Sequence, residues 1–419
     1  MRISGLWLTF APTGVHPVHV MPETNTPRNI IELGNPRTAF AHRSDAELLK
    51  MEWMFSLMNN PGLNKLAVKA LLLSIKLRLP VKSIVKNTIF RHFCGGETIE
   101  ECMKTTQELA RFKVGTILDF SVEGEKNEEG FDKVKEETIR TIKTSKGRDE
   151  IPFAVFKTTG IARVDLLEKL QAGEVLSNDE NIAIEKARAR FSVICSTAAR
   201  ENVRIFVDAE ETWIQDVIDL WTYEEMAIHN QKTCIVFNTF QLYRSDMLGN
   251  LKEACANAKS NSFYIGAKLV RGAYMEKEAA RAEKLGLPNP IQPSKEACDA
   301  DYNQALDFCL ENLDVLHFCA GSHNEESNRL LAGKIDSMKL NRNDERIWFA
   351  QLLGMSDNIS YTLAGEGFNV AKYVPYGPVF SVMPYLVRRA AENTSVAGQT
   401  SRELSLIRAE RKRRQMKKD

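Results

Sequence analysis

Eight short apolar or β-branched runs recur after residue 113, and stretches with helical periodicity lie between them. Such runs predict buried strands, and helices between strands predict crossovers that keep neighbouring strands parallel. The predicted strands are residues 114–120, 153–158, 203–210, 234–240, 263–270, 316–321, 347–353 and 372–377. Eight strand–helix units close on themselves as a (β/α)8 barrel, and the length from 114 to about 395 suits that fold.

An open doubly wound sheet is the alternative arrangement for alternating strands and helices. It usually carries a G-x-G-x-x-G motif after its first strand, and this sequence has no such motif. Segments between residues 45 and 112 show apolar residues at helical spacing. We therefore predict an α/β fold, a TIM-type barrel preceded by N-terminal helices.

These patterns divide the 419 residues into four regions. They are an irregular N-terminal extension (1–40), a helical arm (41–95), the barrel (96–395) and a basic C-terminal tail (396–419). Segment 68–86 of the arm is apolar on one side and basic on the other, so it either lies on a membrane surface or packs on the barrel. The tail either attracts anionic lipid or is disordered.

Composition narrows the functional classes. A formal net charge of +1 argues against a nucleic-acid binder driven by bulk charge. The eight cysteines form no C-x-x-C pair and the seven histidines no H-E-x-x-H pattern, so we expect no catalytic metal. No run of about 18 apolar residues occurs. We therefore expect a cytoplasmic protein with reduced thiols, and leave open peripheral contact with the inner face of a membrane.

Active sites of such barrels lie at the carboxyl ends of the strands. Polar residues end or follow most of the predicted strands, and their concentration at one rim predicts a site there. These residues are Asp119, Lys157, Asp208, Glu210, Asn238, Gln241, Arg271, Tyr274, Ser322, His323, Asn324, Tyr373 and Tyr376.

The segment YLVRRAAEN after the last strand adds an anion clamp. It places Arg388 and Arg389 side by side, with Glu392 three and four residues further on. Residues at these spacings are neighbours on a helix, so Glu392 can brace both guanidinium groups. Arginine binds a carboxylate or phosphate bidentately and keeps its charge. A row of ordinary surface ion pairs is the alternative interpretation.

Residues from about 90 to 395 resemble the proline dehydrogenase family, whose members are flavin-dependent and have a distorted (β/α)8 barrel. The most specific matches are KLVRGAY and YLVRRxxEN, while FVDAE alone is weak. The other matching segments occur in the family order and are VGTILDFSVE, FKTTG, FVDAEET, FNTFQLY, SHNEES, LLGM and YVPYGP. The resemblance is to the stand-alone type, since the sequence has no recognisable second catalytic domain.

The resemblance implies oxidation of L-proline to 1-pyrroline-5-carboxylate, with FAD as hydride acceptor and a quinone as the next electron acceptor. This is the first step of proline catabolism, and a separate 1-pyrroline-5-carboxylate dehydrogenase would follow it. The implied catalytic residues are Lys157, Asp208, Tyr373, Arg388, Arg389 and Glu392. The implied substrate contacts are Lys157, Tyr274, Leu352, Tyr373, Arg388 and Arg389. The implied FAD contacts are Asn238, Gln241, Lys268, Arg271, Gly272, Ala273, Ser322, His323 and Asn324.

Two departures from the family pattern concern the flavin. Lys268 stands where some members have Arg, and Asn238 where some have Gln; both keep a donor near the ring. Tyr373 leaves little room for a ring hydroxyl, so we expect proline to be preferred to hydroxyproline. No residue is an obvious base for the substrate nitrogen, and that role stays unassigned.

Two other functions remain as alternatives. One is a different flavin barrel, such as a methylenetetrahydrofolate reductase, although the arginine pair suits a small amino acid better. The other is an inactive barrel that acts as a scaffold. An inactive copy usually loses part of its clamp, and here Lys157, Tyr373, Arg388, Arg389 and Glu392 occur together.

Overall fold

The computed structural model describes residues 31–77, 80–122, 125, 127–395 and 399–416, without side-chain detail at 390–400 and at five positions between 61 and 76. Residues 1–30 of the predicted extension lie outside this part of the chain. Residues 31–40 pack closely: Leu33, Ala39 and Phe40 are fully buried.

Between residue 31 and the first strand, the described part of the chain forms six short or medium helices. They are α1 Pro36–Ala39, α2 Asp45–Met58, α3 Pro61–Lys76, α4 Lys82–Val85, α5 Arg91–Phe93 and α6 Ile99–Ala110, with a π-helical turn at Lys86–Phe90. α2 begins at a capping box, in which Ser44 and Glu47 bind each other's backbone N–H groups. The sequence places this start signal directly before the apolar periodic stretch.

Eight parallel strands form a closed barrel in chain order. They are β1 Val114–Phe120, β2 Phe153–Lys157, β3 Arg204–Asp208, β4 Val236–Gln241, β5 Ile265–Val270, β6 Leu316–Gly321, β7 Ile347–Leu352 and β8 Val370–Tyr376. β1 pairs with β8 from Val114↔Val370 to Phe120↔Tyr376, and this pairing closes the ring. The predicted (β/α)8 barrel with N-terminal helices is confirmed.

Helices follow every strand and cover the outside of the barrel. They are α7 Glu128–Ser145, α8 Val164–Gln171, α9 Asn178–Glu201, α10 Thr212–His229, α11 Met247–Asn261, α12 Met275–Leu285, α13 Lys295–Glu311, α14 Glu325–Ser337, α15 Asp357–Gly365, α16 Met383–Ser395 and α17 Gln399–Gln415. Two helices each occupy the connections after β2 and after β5, while the last two follow β8.

Alternate strand residues fill the barrel interior. Phe153, Phe206 and Phe237 form its aromatic centre, and the rings of Phe153 and Phe206 stack with centroids 4.3 Å apart. Removing a buried phenylalanine side chain typically costs about 3–5 kcal/mol. The same alternation directs Asp208 and Tyr373, two residues after Phe206 and Ala371, toward the mouth at the carboxyl ends.

The C-terminal helix α17 packs against the arm. Leu404 and Ile407 share an apolar cluster with Leu48, Phe55 and other residues of α2. The segment predicted as a basic tail is thus a helix between 399 and 415, and part of its charge is used internally. Arg408 and Arg411 both bind Glu52 of α2. Among the residues that the structure describes, no helix combines the length and apolarity needed to cross a membrane.

Candidate active site

Lys268 forms the centre of a buried polar group in the barrel mouth. Its ammonium contacts Asp208 Oδ1 and donates to the Tyr373 hydroxyl at 2.7 Å. The Tyr373 hydroxyl lies 3.5 Å from the same carboxylate oxygen. The ammonium also lies 4.9 Å from the Tyr373 ring centroid, within cation–π range. Three strands, β3, β5 and β8, therefore fix one cation and one aromatic face together.

Two further acids face this group from neighbouring strands. Burial, and next the charge of Asp208, raise the pKa of Asp119, while the Lys157 ammonium opposes the shift. Burial also raises the pKa of Glu210 to about 7, again against the charge of Lys157. The charge of Lys157 therefore acts on two buried carboxyl groups, and burial raises the pKa of both.

The arginine pair lies on α16, which follows β8 after a turn at Gly377. Arg389 is 8% exposed, and its guanidinium lies 5.1 Å from the Tyr385 ring centroid. The charge of Arg388 acts on the Tyr274 hydroxyl, as do the charges of Lys157 and Glu210. The structure thus brings Arg388, Lys157 and Tyr274 to one side of the mouth. Glu392 lies on the same helix, but its side chain is outside the described residues.

Arg271 and the start of α14 form a second donor group. The Arg271 guanidinium donates to the Ser322 hydroxyl at 2.8 Å and to the Ser327 hydroxyl at 2.9 Å, and it pairs with Asp299 at 2.6 Å. Gly272 has φ +133, and a Cβ there would collide with the Tyr243 ring, so only glycine fits. A helix N-terminus beside an arginine suits a phosphate or pyrophosphate group.

His323 is a neutral imidazole beside Ser356, the residue directly before α15. Its Nδ1 lies 2.9 Å from the Ser356 hydroxyl. Burial, and next the charges of Lys372, Arg389 and Arg271, lower its pKa to about 3. It therefore contributes one donor and one acceptor rather than a charge.

Other predicted residues fall into different positions. Asn238 points out of the barrel: its side-chain amide donates to Asp219 on α10 at 2.8 Å and accepts from the Thr239 N–H at 2.9 Å. Gln241 occurs three residues later, on the interior side, and donates to the Glu210 carbonyl at 2.7 Å. Asn324 caps α14. The structure therefore brings Gln241, but not Asn238, to the polar group.

Two predicted contacts lie at the edges of the mouth. Leu352 is the register partner of Tyr373 and packs beside it. Ala273 is exposed in the loop before α12. Leu352 and Tyr373 thus form a flat apolar wall, as a small ring would require.

The sequence patterns placed Glu210 among the polar residues at the rim without a specific role, and they did not indicate a buried ion pair beside the site. Glu210 stands two residues after Asp208, where the FVDAEET segment marks the end of a strand. Lys372 and Asp357 form an ion pair at 2.8 Å with almost no solvent exposure. Lys372 and Asp357 are 15 residues apart in the sequence, and neither helical nor strand periodicity predicts a contact at that spacing.

Comparisons with known proteins agree with this architecture. The family described as "Proline dehydrogenase" matches residues 102–402. CarD, a carbapenem antibiotics biosynthesis protein of Pectobacterium carotovorum subsp. carotovorum, is 34% identical over 77% of this chain and 83% of its own length. Mitochondrial proline dehydrogenase 1 of Dictyostelium discoideum is 30% identical over 94% of this chain and 77% of its own length.

A solved structure is similar in fold. Proline utilization A from Bdellovibrio bacteriovorus, inactivated by N-propargylglycine, matches 89% of this chain with a TM-score of 0.68 and 19% identity. This chain spans 40% of the length of that protein. At this identity the likeness concerns the fold alone.

Proposed function

Because the chain belongs to the proline dehydrogenase family, we propose that it oxidises L-proline to 1-pyrroline-5-carboxylate with FAD and passes the electrons to a quinone. The observation that carries the proposal is the convergence of Lys157, Lys268, Tyr373 and the arginine pair around one barrel mouth. Cations at one side and a flat wall at the other match a small ring that bears a carboxylate.

The substrate carboxylate would bind to Arg388, Arg389 and Lys157. Arginine can hold it bidentately, and an ion pair in a partly dry mouth is stronger than in water. Tyr373 and Leu352 would lie along the ring and orient its C–H bond. Asp208 and Lys268 hold the Tyr373 hydroxyl, so that the wall is rigid before the substrate arrives.

The residues present fit FAD. Arg271, Ser322 and the glycine at 272 form a donor-rich cradle for a pyrophosphate, while Lys268, Gln241 and neutral His323 are donors for a flavin ring edge. When bound, the flavin accepts the hydride and stores two electrons, which the protein's side chains cannot do. The chain's own part is to orient the substrate, keep water out and hold the charges.

Peripheral membrane contact would bring the protein close to a quinone in the membrane, and α3 is the helix proposed to make that contact. α3 exposes Leu63, Leu66 and Leu73 by 50%, 64% and 56%, and Leu77 directly after it by 60%. These residues share one helix face. Lys69 is exposed on the same helix, and an ammonium beside an apolar stripe favours an anionic lipid surface. We propose that α3 contacts the membrane peripherally.

A spectroscopic titration tests the oxidation. Purified protein should be yellow, and its flavin absorbance should bleach anaerobically on addition of L-proline but not of D-proline. A water-soluble quinone should then restore the colour. Colourless protein would favour a scaffold, and a yellow protein indifferent to proline would favour another flavin reductase.

A further inference from the structure

Glu210 links two strand ends at the barrel mouth. It follows β3, and it is 3% exposed. The Thr159 backbone N–H donates to Glu210 Oε1 at 2.9 Å, and the Thr159 hydroxyl donates to Oε2 at 2.5 Å. Thr159 belongs to the 3-10 turn Thr158–Gly160 that directly follows Lys157. The carboxyl group therefore fixes the turn from which Lys157 reaches into the mouth.

The backbone of Glu210 is itself held on both sides. Its N–H donates to Gln215 Oε1 at 2.6 Å, and its carbonyl accepts from Gln241 Nε2 at 2.7 Å. Four hydrogen bonds thus bind one residue to the ends of β2 and β4 and to α10. A group held this way cannot turn out to solvent when it ionises.

Charged and titratable groups face Glu210 and Lys157 from several elements. They are Asp119 on β1, Glu211 beside Glu210 and Tyr274 before α12, and Arg388 on α16 in turn faces Tyr274. Burial raises the pKa of Glu210 to about 7, and the Lys157 charge and the Thr159 hydrogen bonds limit the rise. Its protonation therefore changes in the neutral range, inside the group that would bind a carboxylate.

We propose that Glu210 is a positioning residue of the carboxylate clamp, which holds Lys157 in place and sets the net charge of the clamp by its own ionisation. The inference rests on the proposed function. When Glu210 is protonated, it adds no negative charge beside Lys157, and the clamp attracts a carboxylate more strongly. When Glu210 is ionised, it cancels part of that charge and weakens binding.

Linkage gives the sign and a second observable. Affinity for a ring carboxylate falls as pH rises through about 7, because the ionised partner competes for the same cation. By reciprocity, carboxylate binding raises the pKa of Glu210, so that the protein takes up a proton from the buffer near neutral pH. A coupling of one pKa unit corresponds to about a ten-fold change in affinity.

The test uses tetrahydrofuran-2-carboxylate and the holoenzyme. This ring carboxylate has no amine, so its own charge stays constant between about pH 6 and 9. Calorimetric titrations in buffers of different ionisation enthalpy measure the dissociation constant and the proton uptake together. For the wild-type protein we expect the dissociation constant to rise about ten-fold across this range, with proton uptake near neutral pH.

Three variants separate the charge of Glu210 from its structural contacts. Glu210→Gln keeps an acceptor for the Thr159 N–H and should bind the probe with no step near pH 7 and no proton uptake. Thr159→Val removes one hydrogen bond to the ionised form and should move the step to higher pH. Glu129→Gln is the matched control: Glu129 forms an exposed pair with Lys133 on α7 at 2.7 Å, and its variant should retain the wild-type step.

The outcomes are distinct. Wild-type protein that neither binds the probe nor is reduced by proline would overturn the proposed function and this inference with it. Wild-type protein that binds the probe, together with an unchanged pH step in Glu210→Gln, would overturn the inference alone. An unmoved step in Thr159→Val would count against it even if Glu210→Gln did not fold.

Discussion

Arg389, the second of the two adjacent arginines, has its guanidinium buried beside the Tyr385 ring. Truncating one partner of a buried charge pair costs about 2–5 kcal/mol, because the other charge is left without compensation. We therefore expect Arg388→Met and Arg389→Met each to raise KM for proline by at least about 30-fold. Steady-state kinetics measure this. Arg329→Met, at a partly exposed arginine paired with Glu326 on α14, is the control that should leave KM unchanged.

Tyr373 carries the second prediction at the scale of single residues. Its hydroxyl is held by Lys268 at 2.7 Å, so the ring cannot swing away from a larger substrate. The wild-type protein should have a higher kcat/KM for L-proline than for trans-4-hydroxy-L-proline. Tyr373→Ala should narrow this ratio, since it opens space beside the ring. Hydroxyproline as the better wild-type substrate would refute the steric argument.

Single residues also show where sequence patterns stop being informative. Lys157, Asp208 and Tyr373 could be predicted from strand ends and motifs, and they do converge. Asn238 could not be separated from Gln241, because both follow the same apolar run and the deciding quantity is which face each occupies. Strand residues alternate with a period of two, so a three-residue spacing puts one inside and the other outside. Glu210 accepts a hydrogen bond from Thr159, which is 51 residues away, and no sequence pattern predicts this contact.

At the scale of elements, all eight strands were predictable because each is an apolar run between turn signals. The predicted ranges of β1 and β6 coincide with the observed ones, and the other ranges differ by one or two residues at an end. α17 was not predictable, because its sequence is basic and weakly amphipathic. It is ordered by partners elsewhere: Arg408 and Arg411 bind Glu52, and Arg414 binds Asp45 at 3.0 Å.

The ion pair between Lys372 on β8 and Asp357 at the start of α15 gives a prediction about how elements are joined. Burial opposes ionisation of Asp357, but Lys372, His42 and Arg43 outweigh it and hold the pKa well below its ordinary value. Asp357→Asn should lower the free energy of unfolding by about 3–5 kcal/mol at pH 7, because Lys372 is left buried with its charge. Denaturant unfolding measures this.

Two comparisons complete that experiment. A depressed carboxyl pKa contributes stability above the unfolded pKa and loses it as pH falls through the folded pKa, so the gap between wild type and Asp357→Asn should shrink in acid. The double variant Lys372→Met/Asp357→Leu should recover much of the loss. A double variant as unstable as the single one would show that the pair is not the cause.

The apolar face of α3 makes a separate prediction. Leu66→Glu and Leu73→Glu place carboxylates on the proposed lipid-facing stripe and should reduce co-sedimentation with anionic liposomes. Replacing an exposed leucine elsewhere, such as Leu220 on α10 at 56% exposure, by Glu is the matched control. Lys412→Glu, at an exposed lysine of α17, would test the alternative that the basic helix α17 provides the attraction.

At the scale of the whole molecule, Glu403 connects α17 and the segment around Arg43 to the barrel. It lies on α17 with 4% exposure, accepts a hydrogen bond from the Ser356 backbone and faces Asp357, Lys372 and Arg43. Burial, and next the negative charge of Asp357, raise its pKa to about 8. Near neutral pH the folded protein therefore holds Glu403 protonated, whereas the unfolded chain releases that proton above about pH 4.3.

The sign of the effect on stability follows from proton counts. Between the unfolded pKa and about 8 the folded state binds more protons, so stability falls as pH rises, by roughly 1 kcal/mol per pH unit. Glu403→Gln removes this dependence. Relative to wild type, its melting temperature should therefore increase progressively from pH 5 to pH 8 and stay constant above. Glu410→Gln should instead be less stable than wild type by a constant amount from pH 5 to pH 8. Arg413 and Arg414 outweigh burial and lower the pKa of Glu410, so this carboxyl group is ionised in both states across the range. If the melting temperatures of wild type and Glu403→Gln changed equally with pH across this range, the ionisation of Glu403 would not affect the stability that α17 provides.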